Sequence, residues 1–494
     1  MEELRKLLEI VTFCEQNDFT DFEFKESGKE STLITNIVAG KYQTDADAAQ
    51  DLYDADQNDV RYKMLKHRLK KKLFKMLFFF DFTKTKLKGY FRDEQECKHF
   101  MHHAEVLIRQ GEYQISKRLL NKALLISKRL EFTNLVVSIL RSRMVIEVET
   151  GTFKDYLKTK EELDDWNLKL LNETEAQNLF YTVKLNLNKS VNARKQFLPL
   201  IPDMLLRLEE LWNTTHTYVA FEMYYKVNLW FYELTGDFKQ IITITDKTES
   251  WLQQGLINKF RFDLRYHKFI IVYAHLRAKL LEDGLKYAGL YKQDFDPNFP
   301  NWFSYMENYF LLAIHANQYE QAQQLISEVF NNTALQKIMK AARERWALYR
   351  AYLNFVHPTN FLGEAFKFNE FAAKVPDYSK DKQGFNVAIL VLQFMYYLQK
   401  GDAEALLYRI ESIKKYVLVH LKDSFSSRSR LFLKLLILTV VENFDAETCR
   451  LKGHKYYEKL ITTPPPGDAY AEIEIIPYEH LWKLVLDILE KDEV

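Results

Sequence analysis

Gly111-Glu112-Tyr113 separates two long apolar runs, and the same kind of break recurs down the chain. It returns as Gly151-Thr152-Phe153, Gly236-Asp237-Phe238, Asn317-Gln318-Tyr319, Gly401-Asp402-Ala403 and Asn443-Phe444-Asp445. The successive spacings are 40, 85, 81, 84 and 42 residues, so single steps cluster near forty and the longer gaps correspond to two steps. Glycine or asparagine supplies the left-handed backbone that ends a helix. A fixed period of this size implies stacked helix pairs, because one pair cannot bury its own apolar face without neighbours. The expectation is an all-α chain: an irregular α-solenoid over 93–461, of about eight or nine helix pairs. A small helical unit over 1–92 precedes it, and a proline-rich turn with a capping helix over 462–494 follows.

Working outward, composition agrees with long helices and short connections. Of 494 residues only 14 are glycine and 10 proline, which leaves few tight turns, phosphate loops or hairpins. The 36 Phe, 29 Tyr and 7 Trp provide large areas to bury between helices. A formal net charge of +1 argues against a globally basic nucleic-acid binder, while leaving local patches open. Cys14, Cys97 and Cys449 are odd in number and far apart, so they form neither a disulfide framework nor a paired metal motif. The charged start, Met1 to Arg5, lacks the pattern of a secretory leader. The longest apolar stretch, Leu431 to Val441, is interrupted by Lys434 and is too short to span a bilayer. A soluble cytoplasmic protein without membrane contact is expected.

Before residue 93 the pattern differs. Leu33-Ile34 and Ile37-Val38 have helical spacing and stop at Gly40. Thr44 offers an N-cap, with Asp45 and Asp47 in the first turn of a short helix reaching about Tyr53. From Asp59 the series Tyr62, Leu65, Leu69, Leu73, Met76, Phe80 marks one face of a third, longer helix. That helix is basic: Arg61, Lys63, Lys66, Arg68, Lys70, Lys71, Lys72 and Lys75 fall within it, and Lys84, Lys86 and Lys88 follow. The order of three helices with a basic third resembles a helix-turn-helix, in which Lys63, Lys66, Lys70 and Lys71 would contact phosphates. The competing reading is a solvated helix whose charge is cancelled by Asp45, Asp47, Asp51, Asp54, Asp56 and Asp59 just upstream.

The stretch Gly111-Glu112-Tyr113-Gln114-Ile115-Ser116, closed by Ala123-Leu124, resembles the tetratricopeptide repeat. Asn317-Gln318-Tyr319-Glu320-Gln321-Ala322, closed by Val329-Phe330, is similar to it and also keeps the small residue. Ile241 replaces that residue after Gly236, and Ala403 replaces the aromatic after Gly401. The family's period is 34 residues and this chain's is nearer forty, which implies longer helices and an irregular solenoid. The resemblance implies a binding scaffold whose first helices line a concave groove for a protein or peptide. Asn308, nine residues before the Asn317 turn, stands where such repeats carry a clamping asparagine, and Tyr305 and Tyr225 belong to aromatic runs that could line the groove.

No P-loop, dinucleotide fingerprint, nucleophile elbow, HExxH or paired CxxC occurs, so no enzyme activity or cofactor is expected. Cys97, His99, His102 and His103 come nearest to a metal site, but four ligands on one helix cannot converge, and no metal is expected. The sequence points to a protein- or peptide-binding scaffold. The alternative is a DNA-binding regulator reading a site with its N-terminal helices.

Overall fold

The computed structural model describes residues 1–14, 28–78, 89–189, 191–358, 385–420, 427–463 and 474–492, and among these every regular element is helical. The chain divides into two compact units, Met1–Leu170 and Leu171–Val494.

The first unit opens with four helices, α1 (Glu2–Cys14), α2 (Lys29–Val38), α3 (Asp45–Tyr53) and α4 (Val60–Phe78). The last three are those expected from the sequence. The first was missed although Leu4, Leu7, Leu8 and Val11 have the spacing of one helical face, and all four are buried. Thr44 caps α3 in a reciprocal box: its hydroxyl accepts from the Asp47 amide while the Asp47 carboxylate accepts from the Thr44 amide. Asp59 starts α4 by accepting from the amides of Arg61 and Tyr62 at 2.7 and 3.3 Å. Tyr62, Leu65, Leu69, Leu73 and Met76 then form its buried face against α1, α2 and α3. Phe79 and Phe80 lie outside the described residues.

A second core in this unit joins α5 (Gly89–Arg109), α6 (Tyr113–Arg129), α7 (Thr133–Glu149) and the first half of α8 (Phe153–Leu187). Ser116 and Ala123, the small residues of the repeat pattern, are fully buried on α6, and the Ser116 hydroxyl donates to the Ala104 carbonyl of α5 at 3.3 Å. A larger side chain at 116 would hold the two helices apart.

Each expected turn has one geometry. Gly111 lies at φ 78°, Gly151 at 68°, Gly236 at 75°, Asn317 at 57°, Gly401 at 64° and Asn443 at 54°. At each, the left-handed residue's amide bonds back three residues and the next amide bonds back five, as in Gly111 to Ile108 and Glu112 to Leu107. This paired motif satisfies helix-end carbonyls with the chain's own backbone. The same pair recurs at Gly255, which falls outside the forty-residue cadence, and at Glu131 and Lys279, which the sequence did not reveal because glutamate and lysine do not advertise a left-handed residue. Lys279 splits the gap between Gly236 and Asn317 into steps of 43 and 38, as the two-step reading requires. The gap after Gly151 is different: the 35-residue α8 fills its first part, followed by α9 (Val191–Phe197) and α10 (Ile201–Thr215). The midpoint of the gap after Asn317 lies outside the described residues.

The second unit begins within α8, whose Ala176, Phe180 and Val183 pack with α10, α11 (Tyr218–Thr235) and α12 (Phe238–Gln253). It continues through α13 (Leu264–Arg277), α14 (Leu281–Tyr291), α15 (Pro300–His315), α16 (Tyr319–Asn331) and α17 (Lys340–Val356). After residues 359–384 come α18 (Phe385–Gln399), α19 (Ala403–His420), α20 (Ser427–Val441), α21 (Ala446–Thr462) and α22 (Tyr478–Asp492). Sequence neighbours pack on one another throughout, as α10 on α11, α12 on α13, α15 on α16 and α20 on α21. Helix α15 is buried almost all round, from Trp302 to His315, so it lies at the centre of its core. Helix α22 packs on α20 and α21, and Arg428 of α20 ties down the segment before it. The Arg428 guanidinium donates to the carboxylates of Glu474 (3.0 Å) and Glu479 (2.6 Å) and to the carbonyls of Leu460 and Thr463, both at 2.8 Å. No helix among the described residues is long and apolar enough to cross a membrane.

Candidate interaction surfaces

Helix α4 contains nine cationic or histidine side chains and no carboxylate, so where each points decides what the helix can bind. The fold sorts them. Those bordering the core are neutralised from other parts of the unit: Arg61 by Asp59 (2.9 Å), Lys66 by Asp45 (2.7 Å), Lys70 by Glu3 (2.6 Å) and Lys72 by Glu30 (2.9 Å). Asp45 is the hub. Burial pushes its carboxyl upward, but hydrogen bonds from Lys66, Tyr62 and the Met1 amino group outweigh that and hold it well below the ordinary value.

On the side opposite the core, Lys63, His67, Arg68, Lys71 and Lys75 are exposed, with no carboxylate partner among the described residues. Lys63 donates only to the neutral Asn58 amide oxygen, at 3.1 Å. Val60, Met64 and Phe74 share this face and are 70, 58 and 52% exposed. The result is a strip in which apolar and basic side chains alternate along the helix. Of the four lysines chosen from the sequence, Lys63 and Lys71 belong to it. Lys66 and Lys70 lie outside it, in ion pairs with Asp45 and Glu3 respectively. Of the six aspartates expected to screen the helix, two pair with it. Asp45 and Asp59 do face α4, whereas Asp47 caps its own helix and Asp54 accepts from Gln50. Glu3 and Glu30, distant in sequence, do the remaining screening.

The expected groove contacts are placed differently. Tyr305 is fully buried and its hydroxyl donates to the Ala288 carbonyl at 2.6 Å. Tyr225 is buried and shares a 2.9 Å hydrogen bond with His267 Nδ1. Neither has surface to offer a ligand, because α11 and α15 are covered by neighbouring helices. Asn308 is 9% exposed and its amide donates to the Ser304 carbonyl one turn back, at 3.2 Å. The spacing placed these residues on first helices; it carried no information about how completely those helices are enclosed.

A second surface was not singled out from the sequence. Phe153, Leu157 and Leu168 of α8 are 71, 49 and 55% exposed, and Glu161, Asp164 and Asp165 are exposed between the apolar ends. Lys158 and Lys160 lie beside these acids, and Lys160 already pairs with Asp164 at 3.3 Å. The signal was present as an i, i+4 apolar pair followed by an acidic run, but Phe153 had been assigned only to a turn.

Of the residues considered for a metal, Cys97 is buried with its thiol directed to the Ala123 carbonyl, and His102 and His103 are exposed. No group of three or more potential ligands gathers among the described residues. Comparison with known protein families, with curated proteins and with solved structures finds no match for this chain.

Proposed function

We propose that this protein is a non-enzymatic, protein-binding scaffold built as an irregular tetratricopeptide-like solenoid, with the outer face of α4 as a principal contact surface. The observation that carries the reading is that strip: three large apolar side chains left in solvent on a helix whose other basic residues are neutralised internally. Apolar side chains in solvent among unpaired charges are what a protein interface uses, apolar anchors for affinity and charges for register. The recurrent left-handed turns and the buried Ser116 and Ala322 support the repeat reading.

A test uses the full chain as bait beside a variant carrying Val60→Ser, Met64→Ser and Phe74→Ser. Because these side chains are exposed, helicity should be unchanged. Proteins retained by the native chain and lost by the variant are the expected result; identical retention would reject α4 as the contact surface.

The unpaired cations favour one second reading, a regulator that grips duplex DNA through Lys63, Arg68, Lys71 and Lys75. Binding would then weaken steeply with salt, with a slope corresponding to about four phosphates, and reversal of Lys63 and Lys71 would remove about half of that slope. Affinity for duplex DNA that ignores both salt and these substitutions would dismiss this reading.

A further inference from the structure

We infer that the outer face of α4 docks on the outer face of α8 in a second copy of this chain. The inference rests on the reading of α4 as a protein-binding surface and names its occupant. Two features of the first unit match. Along α4, exposed apolar residues stand at 60, 64 and 74, separated by four and ten residues; along the part of α8 in the first unit they stand at 153, 157 and 168, separated by four and eleven, with Leu171 exposed just beyond it. Ten and eleven residues rise about 15 and 16.5 Å, so the two sets of anchors match along the helix axes, each set staying within an arc of about 80° of its helix. Read in the same direction, Val60 meets Phe153, Met64 meets Leu157 and Phe74 meets Leu168.

The net charge between these anchors has opposite sign, although on α8 Lys158 and Lys160 offset part of the acidic side and Lys160 already pairs with Asp164. His67, Arg68 and Lys71 lie between Met64 and Phe74, and Glu161, Asp164 and Asp165 lie between Leu157 and Leu168. Neither Arg68 nor Lys71 has a carboxylate partner among the described residues, whereas every basic residue of α4 beside the core that can pair has done so. Charge and apolar positions alternate along the axis of both helices. That alternation suits a second helix with the complementary order better than a bilayer, which favours an apolar centre with cationic flanks. It also suits a helix better than a phosphate backbone, which gives Val60, Met64 and Phe74 nothing to pack against. A two-fold pair makes the contact twice, α4 on α8 and α8 on α4, and so closes without propagating.

Sedimentation or light scattering of the full chain from about 1 to 100 µM tests the proposal. The expected result is a dimer at about 50 mM salt that weakens at about 500 mM. Arg68→Glu with Lys71→Glu should weaken it about tenfold or more, and so should Glu161→Lys with Asp164→Lys and Asp165→Lys. Combining both sets in one chain restores opposite charges across the contact and should recover dimerisation to within about threefold of the native chain. Circular dichroism confirms that each variant keeps its helices. A single-chain mass at every concentration, or a dimer indifferent to both sets of reversals, overturns the proposal. If that monomer still retains other proteins through Val60, Met64 and Phe74, the scaffold reading survives and only self-docking falls; if it binds duplex DNA through Lys71, self-docking falls in favour of the regulator.

Discussion

Arg428 is 4% exposed and lies among two carboxylates and two backbone carbonyls, so its charge is stable only while all of them stay in place. Burial penalises the guanidinium, but Glu474 and Glu479 more than offset this and hold its proton more tightly than usual. Arg428→Ala would leave Glu474 buried and unpaired, a loss of about 3 to 5 kcal/mol. Arg428→Lys should recover only part of it, since one ammonium cannot reproduce a planar fork of five donors. Hydrogen exchange in α20, α21 and α22 reads the effect directly, and unchanged protection in the alanine variant would show the cluster to be dispensable. None of this was visible in the sequence. Arg428 and Glu474 are 46 residues apart, and a charged residue in an apolar helix reads from composition as a solvent contact.

At the scale of the element, Gly284 shows a helix position decided by its neighbour. A Cβ there would stand 2.6 Å from Leu312 Cδ2 and 3.1 Å from His275 Cβ, so α14 approaches α15 and α13 only because the side chain is missing. Alanine improves helix propensity by about 1 kcal/mol, while overpacking a core costs about 1 to 3 kcal/mol. Leu312 is fully buried and has no room to move aside, so Gly284→Ala should destabilise the second unit by about 1 kcal/mol. A denaturation midpoint that rises would show that Leu312 repacks freely.

The left-handed turns display the opposite case. Gly111, Gly151, Gly236, Asn317, Gly401 and Asn443 were legible because their residue types favour that conformation. Lys279 and Glu131 adopt it under tertiary constraint and were invisible. The length of α8 was illegible for a related reason: without glycine or proline inside it, nothing marks where one packing role ends and the next begins.

For the molecule as a whole, the two units should respond differently to acid. In the second unit, burial pushes His267 down to about 4 and His315 well below its ordinary value, so both rings are neutral at pH 7. The 3.7 Å approach of His267 to Glu249 is therefore not an ion pair there. An unfolded chain takes up these protons below about 6.5. The native state resists until lower pH, so stability is full above 6.5 and falls as the pH drops from there toward 4. His267 alone accounts for up to about 3 kcal/mol of that loss. In the first unit the Asp45 carboxyl is depressed instead, so its contribution is complete above the ordinary value of 3.8 and disappears only below it. Hydrogen exchange at pH 5 should show the second unit loosened and α1 to α4 still protected, and His267→Phe should reduce the difference. Equal loosening in both units would contradict this.

The turns that close each helix pair have a consequence for how the chain comes into being. Every one is completed by backbone bonds reaching back no more than five residues, and each helix packs chiefly on the next in line. A nascent chain can therefore finish one pair while the following pair is still being synthesised, with little exposed apolar surface waiting on distant segments. His315 is an exception. Its Nε2 bonds to the Glu474 carbonyl at 2.8 Å, a partner 159 residues later. During translation α15 therefore lacks this one bond until residue 474 has been made, and the imidazole takes its hydrogen bond from water in the interval.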